Sequence, residues 1–280
     1  MKIVAWCLSA LVVLVSLTTA CKKDPKPSDP VVVHDTLIVK DTVIVNPPPP
    51  VCTPNLTKGL LAYYPFNGNF NDESGNGNNG TAFNGAFITS DFAGKLNSCA
   101  GFDGINDYVK VPGSSKLNSD TVTVSFQVMA NTVNRFYAMV SRQNFETANS
   151  TCFSIHHMSA TDSTITFSTP RPDDCSVIYN NPEPTFWGYS MGPIRPTKWY
   201  NIICSYAGGV QRIYVNGVLE SALTKAWKNA RKCDNGDLMI GGWWKNDLGS
   251  INGKIDEVRL YNRVLTECEI AKLAEGFTGN

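Results

Sequence analysis

Residues 121–128 read TVTVSFQV and give the clearest strand signal in the chain. Valine and phenylalanine alternate with small polar residues, so Val122, Val124, Phe126 and Val128 fall on one face of an extended segment. A period of two with β-branched residues is typical of a strand that is buried on one side. The stretch therefore predicts a strand whose four apolar side chains face a core.

Similar signals recur on both sides of this strand. Strands are predicted within residues 60–66 (LLAYYPF), 199–206 (WYNIICSY) and 253–262 (GKIDEVRLYN). Asn216-Gly217 lies between two further strand-like runs and predicts a tight hairpin, because both central turn residues need a positive φ. Only the end, with Thr266 as N-cap, has a helical pattern. Many short strands and almost no helix predict an all-β sandwich.

Four blocks resemble the LamG-like jelly-roll family, in the family's order. They are residues 59–81, 102–112, 199–217 and 253–270. This family is part of the concanavalin A-like lectin/glucanase group. The resemblance implies a two-sheet antiparallel jelly-roll sandwich over residues 59–277, with neighbouring terminal strands and a short C-terminal helix. Residues 143–196 match worst, and we expect enlarged loops there.

Composition excludes some functions before any site is considered. The 280 residues contain 24 Lys and Arg against 24 Asp and Glu, so the formal charge is zero, and only 17% of residues are charged. Nucleic acid is therefore not an expected partner, since phosphates require a basic face. Nine cysteines indicate an oxidising compartment.

The first residues indicate export. Residues 1–20 have the pattern of a signal peptide, with Lys2 before an apolar run that is too short for a good membrane span. The small residues before Cys21 resemble a bacterial lipobox, and the following charges resemble the start of many Bacteroidetes lipoproteins. The resemblance implies lipidation of Cys21 and a place on the outer membrane. Some Bacteroidetes lipoproteins use such charges for display on the cell surface, so we expect the protein to be exposed there. The alternative is a secreted protein cut after Ala20.

Residues 21–58 are predicted to be a lipidated N-terminus followed by an extended stalk. DTLIVK (residues 35–40) is repeated as DTVIVN (residues 41–46), and four prolines follow. Prolines favour an extended polyproline conformation, which suits a spacer. The competing interpretation is a strand-donating or aggregating segment, because both repeats contain β-formers. We expect the membrane to be contacted through the lipid anchor only.

Catalytic motifs are missing from the sequence. Glycoside hydrolases use two carboxylates a fixed distance apart, and hydrolytic relatives carry a Glu-x-Asp-x-(x)-Glu run that this chain lacks. Asp256 and Glu257 are adjacent on a predicted strand, and so are His156 and His157, so each pair is expected to point to opposite faces. We therefore predict a protein that is not an enzyme. Loop residues that converge from distant positions are the remaining route to catalysis.

Calcium is the predicted cofactor. Residues 69–79 (NFNDESGNGNN) are rich in oxygen ligands and glycine, which suit this hard cation. Relatives of this fold often hold a structural calcium between the first loop and the last strand, which carries over to Asp72 and Asp256. The alternative is a turn in which Asp72 bonds its own backbone. Asp103 and Asp107 are second-choice ligands.

Exposed aromatic residues are the predicted ligand-binding groups, because sugar rings stack on flat apolar faces. Trp243 and Trp244 follow a predicted strand, and Trp187 and Tyr189 lie in the poorly matching stretch. The alternative is that these side chains pack loops onto the sandwich.

Seven cysteines remain once Cys7 of the signal and Cys21 are set aside. Cys204 occupies a core position of its strand and is predicted to be a free thiol. The other six allow 15 pairings: Cys52, Cys99, Cys152, Cys175, Cys233 and Cys268. We prefer Cys152–Cys175, which would staple the poorly matching stretch. Cys52–Cys268 is the second choice, because the resemblance brings the domain ends together.

The sequence as a whole predicts a non-catalytic envelope lipoprotein that binds carbohydrate. A protein-binding adhesin or structural surface module is the alternative, and a polysaccharide hydrolase or lyase is a third. The three differ in what a structure should contain. A lectin needs an aromatic groove, an adhesin a flat apolar patch, and an enzyme two carboxylates in a cleft.

Overall fold

A computed structural model describes residues 52–146, 151–158, 164–172, 187–189, 193–245 and 248–277. The predicted signal peptide, Cys21 and nearly all of the predicted stalk lie outside these ranges, as does Cys175. Within the described ranges, no helix is both long and apolar enough to span a membrane.

The described chain forms two antiparallel sheets. Sheet A contains eight strands: β1 (Leu60–Tyr64), β3 (Phe87–Thr89), β4 (Cys99–Asp103), β6 (Val122–Ala130), β11 (Trp199–Ala207), β12 (Val210–Val215), β13 (Val218–Thr224) and β15 (Asn252–Tyr261). Sheet B contains seven: β2 (Thr81–Phe83), β5 (Tyr108–Val111), β7 (Tyr137–Gln143), β8 (Thr151–His157), β9 (Ile165–Ser168), β10 (Trp187–Tyr189) and β14 (Asp237–Ile240). A 3₁₀ turn (Ser115–Leu117) and a helix, α1 (Glu267–Leu273), complete the described elements.

The strand order confirms the predicted jelly-roll sandwich. Sheet A runs β13-β12-β11-β6-β15-β4-β3, with β1 on β15, and sheet B runs β10-β9-β8-β7-β14-β5-β2. Neighbours in space are often distant in sequence, as expected when the chain crosses repeatedly between two sheets. The terminal strands β1 and β15 are paired, with Tyr64 opposite Val258.

The core lies between the sheets and is built by the predicted alternation. The four apolar residues of β6 named above all belong to it. So do Ile202, Cys204 and Tyr206 of β11, which alternate along the strand and therefore share one face of it. Sheet B contributes Ile155 and Phe167 from its own inner face. Burial of these side chains is the main favourable term holding the two sheets together.

Two local predictions are also confirmed. Asn216 and Gly217 have φ values of 51° and 81° and connect β12 to β13. Thr266 caps α1: its side chain accepts from the Glu269 N–H, and the Glu269 carboxylate accepts from the Thr266 N–H. Both features depend on a few adjacent residues, which is why they can be read directly from the sequence.

The stretch expected to carry enlarged loops also supplies strands. β8, β9 and β10 all fall within residues 143–196 and form one end of sheet B. All seven residues of β8 and all four of β9 are buried. A strand covered on both faces loses the apolar-polar alternation that makes strands recognisable, so these strands were missed.

The predicted Cys152–Cys175 disulfide is corrected by the structure. Cys152 is a buried free thiol in the hydrophobic core, where burial raises its pKa. Its preferred partner, Cys175, lies outside the described residues. The second-choice pair is confirmed: Cys52 and Cys268 form a disulfide, with 5.7 Å between their Cα atoms. Cys204 is a buried free thiol as predicted, and so is Cys99.

Candidate functional site

A groove of about 770 Å³ opens at one end of the sandwich. Four parts of the chain meet there: the β4–β5 loop, the β6–β7 loop, the end of β8 and the β14–β15 loop. This volume is typical of pockets that bind small molecules. We call it the Trp243 groove; its lining residues are Ile105, Arg135, Phe136, His156, Met158, Trp243, Lys245, Leu248, Gly249 and Ser250.

Trp243 is held at the centre of an aromatic cluster. Its backbone N–H donates to the Leu248 carbonyl at 2.7 Å, which closes the β14–β15 loop on itself. The Trp243 ring lies 5.1 Å from the Phe136 ring and 5.9 Å from the His156 ring, the latter nearly parallel at 13°. These centroid distances are typical of packed aromatic pairs. Trp243 is half-buried, so the ring is fixed but partly open to solvent.

A glycine makes room for this cluster. Gly249 has a φ of 46°, and a Cβ atom placed on it would lie 2.5 Å from the Phe136 ring. Both the left-handed backbone and the close approach favour glycine at this position. The Gly249 carbonyl also accepts from the Ala138 N–H at 2.8 Å, which ties the loop to β7.

His156 supports the aromatic cluster as an uncharged ring. Burial, with a smaller contribution from His157, lowers the pKa of His156 to about 3. Its Nδ1 lies 3.2 Å from the Ser154 hydroxyl, and its Nε2 lies 3.1 Å from the Met158 sulfur. His157 faces the other way and stacks on Tyr137 at 4.7 Å. The two histidines therefore point apart, as the sequence predicted.

Two basic side chains border the aromatic surface. Arg135 donates through Nη2 to the Ser250 carbonyl at 2.8 Å and to the Gly104 carbonyl, which links the two loops on which these residues lie. Lys245 forms an ion pair with Glu146 at the exposed rim. The described residues that line the groove include no Asp or Glu. The groove thus combines a flat apolar face with hydrogen-bond donors.

The predicted ligand-binding residues do not all meet at this site. Trp243 lines the groove, whereas Trp244 is half-buried next to it and is not a lining residue. Trp187 and Tyr189 belong to β10, where their backbones pair with Ser168 and Thr166. The side chains of these two residues lie outside the described part of the protein.

Sequence reasoning missed the other groove residues. Arg135, Phe136 and Met158 lie in loops or at a strand end with no pattern of their own. They come together with Trp243 only because β7, β8 and β14 belong to the same sheet. Ile105 is exposed, with 77% of its surface accessible. An isoleucine within a polar loop is the sequence signal that could have identified this site.

Asp72 acts as the organiser of the first loop. Its Oδ1 accepts from the Tyr63 and Ser74 N–H groups, and its Oδ2 accepts from the Asn78 N–H, each at 2.9 Å. This is the arrangement of the turn alternative, in which an aspartate bonds nearby backbone.

Asp256 is buried in β15, and its Oδ1 accepts from the Glu257 N–H at 2.8 Å. Burial, followed by the neighbouring Glu257, raises the pKa of Asp256 to about 8. Among the described residues, no group of three or more His, Cys, Asp or Glu side chains could hold a metal ion. Calcium at this pair stays a prediction of the sequence.

The family comparison agrees with the fold. The family model of the concanavalin A-like lectin/glucanases superfamily matches residues 103–271, which is more than half of the chain. The protein therefore belongs to this superfamily. A search of curated protein sequences gives no match.

Solved structures show the same fold at low sequence identity. One is domain 4 of AbnA, a GH43 extracellular arabinanase from Geobacillus stearothermophilus, in complex with arabinotriose. It has a TM-score of 0.59 and 20% identity, and the alignment covers 77% of this chain and 98% of that domain. The binding domain of botulinum neurotoxin DC in complex with SialylT has a TM-score of 0.59 and 13% identity, with 80% of this chain covered. The chain spans about half of that toxin domain (53%). The same toxin domain is also known in complex with rat synaptotagmin II.

Proposed function

We propose that the protein is a carbohydrate-binding module and that its glycan lies in the Trp243 groove. The observation that carries the proposal is the half-exposed Trp243 ring, fixed by Phe136 and His156 at the centre of a concave surface. An indole face of this kind packs against the C–H groups of a sugar ring, while neighbouring donors bond the hydroxyls. Arg135 and Lys245 are in position to supply such donors.

Support also comes from the structural neighbours. The arabinanase domain binds arabinotriose and the toxin domain binds SialylT, and both share this fold. Because a fold hosts many functions, the neighbours favour carbohydrate as a ligand class without identifying the glycan. Because the toxin domain is also known in complex with synaptotagmin, a protein is the second candidate ligand for this chain. The concave shape of the site favours a sugar over the flat patch that an adhesin would need.

The wider proposal is a non-catalytic, lipid-anchored protein. The lack of carboxylates among the described lining residues supports binding without hydrolysis, since glycoside hydrolases use two of them. The signal-like residues 1–20 and Cys21 support lipid anchoring to the outer membrane at the cell surface. Mass spectrometry of the membrane fraction would test the anchor: a diacylated or triacylated Cys21 as the first residue is expected.

A glycan array probed with the purified protein tests the ligand class. We expect binding to at least one polysaccharide or oligosaccharide, and a loss of about 10- to 100-fold in affinity in Trp243→Ala, because covering a large apolar side chain contributes about 1.5–3 kcal/mol. Trp244→Ala is the matched control, since it removes a neighbouring half-buried tryptophan outside the lining. Equal losses in both variants, or no binding by a folded protein across a broad array, would contradict the proposal and direct the search to protein partners.

A further inference from the structure

A second recess lies on the outer face of sheet A. It has a volume of about 200 Å³ and lies between the sheet and the end of α1. Its floor is formed by Ser125 and Gln127 of β6 and by Asn201 of β11. We call this recess the sheet-A cleft. It shares no residue with the Trp243 groove.

Strand register brings the floor residues together. Gln127 is directly opposite Asn201, and Ser125 is directly opposite Arg259 of β15 on the other side of β6. Residues in such pairs project to the same face, with Cβ atoms about 4.5–5.5 Å apart. The polar ends of these side chains therefore converge on one spot in the middle of the sheet.

The floor carries unused hydrogen-bonding capacity. Ser125 and Asn201 are 1% and 2% exposed, and the Ser125 hydroxyl, Asn201 Oδ1 and Gln127 Oε1 are buried with no partner among the described residues. Buried polar atoms in proteins are almost always hydrogen-bonded, so each exception needs an explanation. Three exceptions that line one recess are explained together if a bound molecule supplies the missing partners.

Helix docking does not require this polar floor. Elsewhere on the same face, α1 packs through Ile270 and Leu273 against Ile203 and Tyr261, which form a separate apolar cluster. If the only role of this sheet face were to pack against α1, apolar residues would be expected over all of it, since they avoid the cost of burying polar groups. The change from an apolar to a polar floor coincides with the recess.

The wall of the cleft is fixed by an irregularity in β15. Pairing with β6 shifts between Asp256 and Arg259, and Glu257 has a φ of 54°. Bulges of this kind re-aim side chains and are common next to functional sites. The Glu257 carboxylate accepts from the Tyr63 hydroxyl at 3.0 Å and pairs with Arg259, whose guanidinium lies 4.0 Å from the centre of the Tyr63 ring. The carboxylate is therefore held in one place.

Charge and size define the ligand class. Glu257 is paired with Arg259, and Lys272 with Glu275, so the lining charges compensate one another. The floor is neutral and polar, and Leu273 adds an apolar edge. We propose that the sheet-A cleft binds a neutral polyhydroxylated molecule the size of one sugar ring. Hydroxyl groups both donate and accept, so they satisfy the floor amides and the carboxylate, while aliphatic C–H groups contact the leucine.

NMR titration of the full chain with glucose, galactose, mannose, arabinose and sorbitol tests this site. The side-chain amide signals of Gln127 and Asn201 report on the floor directly. We expect saturable shifts of these two signals with at least one compound, at about millimolar concentrations. Gln127→Met, similar in shape but without the amide, should weaken binding by about tenfold or more. It should not lower the melting temperature, because it removes an unpartnered polar group.

Trp243→Ala serves as the control that separates the two sites. It should leave the titration of the sheet-A cleft unchanged while it weakens glycan binding in the Trp243 groove by about 10- to 100-fold. No saturable shift with any of the five compounds would overturn the proposal for the cleft. So would shifts that persist unchanged in Gln127→Met, or a folded Gln127→Met whose melting temperature falls. None of these results would affect the glycan proposal for the Trp243 groove, which the array tests independently.

Discussion

The Trp243 groove and the contact between the two ends of the domain use side chains in opposite ways. In the terminal contact, defined by Cys52, Asn55, Arg263, Thr266 and Glu269, the polar groups satisfy one another. The Glu269 carboxylate accepts from Arg263 at 2.7 and 2.8 Å, from the Thr266 N–H at 2.8 Å and from the Asn55 N–H at 3.2 Å. A disulfide closes the same region.

The Trp243 groove, by contrast, contains exposed apolar surface and a polar group without a hydrogen-bond partner in the described part of the chain. The Trp243 indole N–H is buried with no partner among the described residues, and Met158 is 39% exposed at the rim. Apolar surface and unpaired donors cost stability unless another molecule covers them. The terminal contact therefore contributes mainly to stability, whereas the Trp243 groove is suited to binding. Substitutions in the terminal contact should therefore leave glycan affinity unchanged.

The largest expected effect is removal of the terminal disulfide. Cys52→Ser with Cys268→Ser should lower the free energy of unfolding by about 2–5 kcal/mol, because the bond closes a loop with a sequence separation of 216 residues. Urea denaturation followed by tryptophan fluorescence measures this change. Glycan affinity should be unaffected. A double variant with the same urea midpoint as the wild type would show that the terminal contact does not stabilise the domain in this way.

The next effect concerns Asp72 in the first loop. Like the polar groups of the terminal contact, both of its carboxylate oxygens have hydrogen-bond partners. Asp72→Ala removes the acceptor of three backbone N–H groups and should lower the free energy of unfolding by about 2–3 kcal/mol. The same variant tests the calcium prediction. If the ion binds at Asp72, calcium should raise the melting temperature of the wild type but not of the variant, and a chelator should reverse the rise. Equal melting temperatures with calcium and with chelator would contradict it.

A third test uses pH to isolate the ion pair of the terminal contact. Hydrogen bonds from Arg263, together with those from Thr266, lower the pKa of Glu269 from 4.5 to about 2. The folded state therefore favours the ionised carboxylate, so its contribution is full above pH 4.5 and is lost as the pH falls toward 2. Glu269→Gln should cost about 1–3 kcal/mol at pH 7. A difference in stability that does not shrink between pH 5 and pH 2 would rule out this assignment.

The smallest expected effect concerns the way Phe136 positions Trp243 in the groove. Gly249→Ala places a Cβ atom against the Phe136 ring, whereas Gly208→Ala, at a similar φ of 57°, meets open space. Both variants should lose about 1 kcal/mol of stability from backbone strain. Only Gly249→Ala should also weaken glycan binding, by several-fold, because Phe136 must move away from Trp243. Equal glycan affinities in the two variants would show that Phe136 does not position Trp243.

How far the sequence predicted the structure depended on the range of the interaction involved. The core face of β6, the hairpin at Asn216-Gly217 and the Thr266 cap were all correct. Each depends on side-chain periodicity or on the backbone needs of a few adjacent residues. The pairing of the terminal strands followed from the family resemblance and is also confirmed.

Features that depend on contacts between distant residues were not predicted from the sequence. Strands β8 and β9 are covered on both faces and so carry no alternating pattern. The preferred partner of Cys152 was wrong, because sequence spacing does not show that the Cys152 side chain faces the core. Residue type was enough to predict Trp243 as a candidate ligand-binding residue, whereas Arg135, Phe136 and Met158, which line the same groove, were not predicted.

Sequence patterns are enough to predict the strand periods, the turns and the helix cap, and the neutral composition makes a nucleic-acid partner unexpected. Tertiary structure alone decided which loops meet around Trp243, which cysteines come within bonding distance and where polar atoms are buried without partners. The physical reason is that strand and turn propensities act over a few residues. The sites depend on how two sheets pack and on the order of their strands, which brings together residues more than a hundred positions apart, such as Arg135 and Ser250, 115 positions apart.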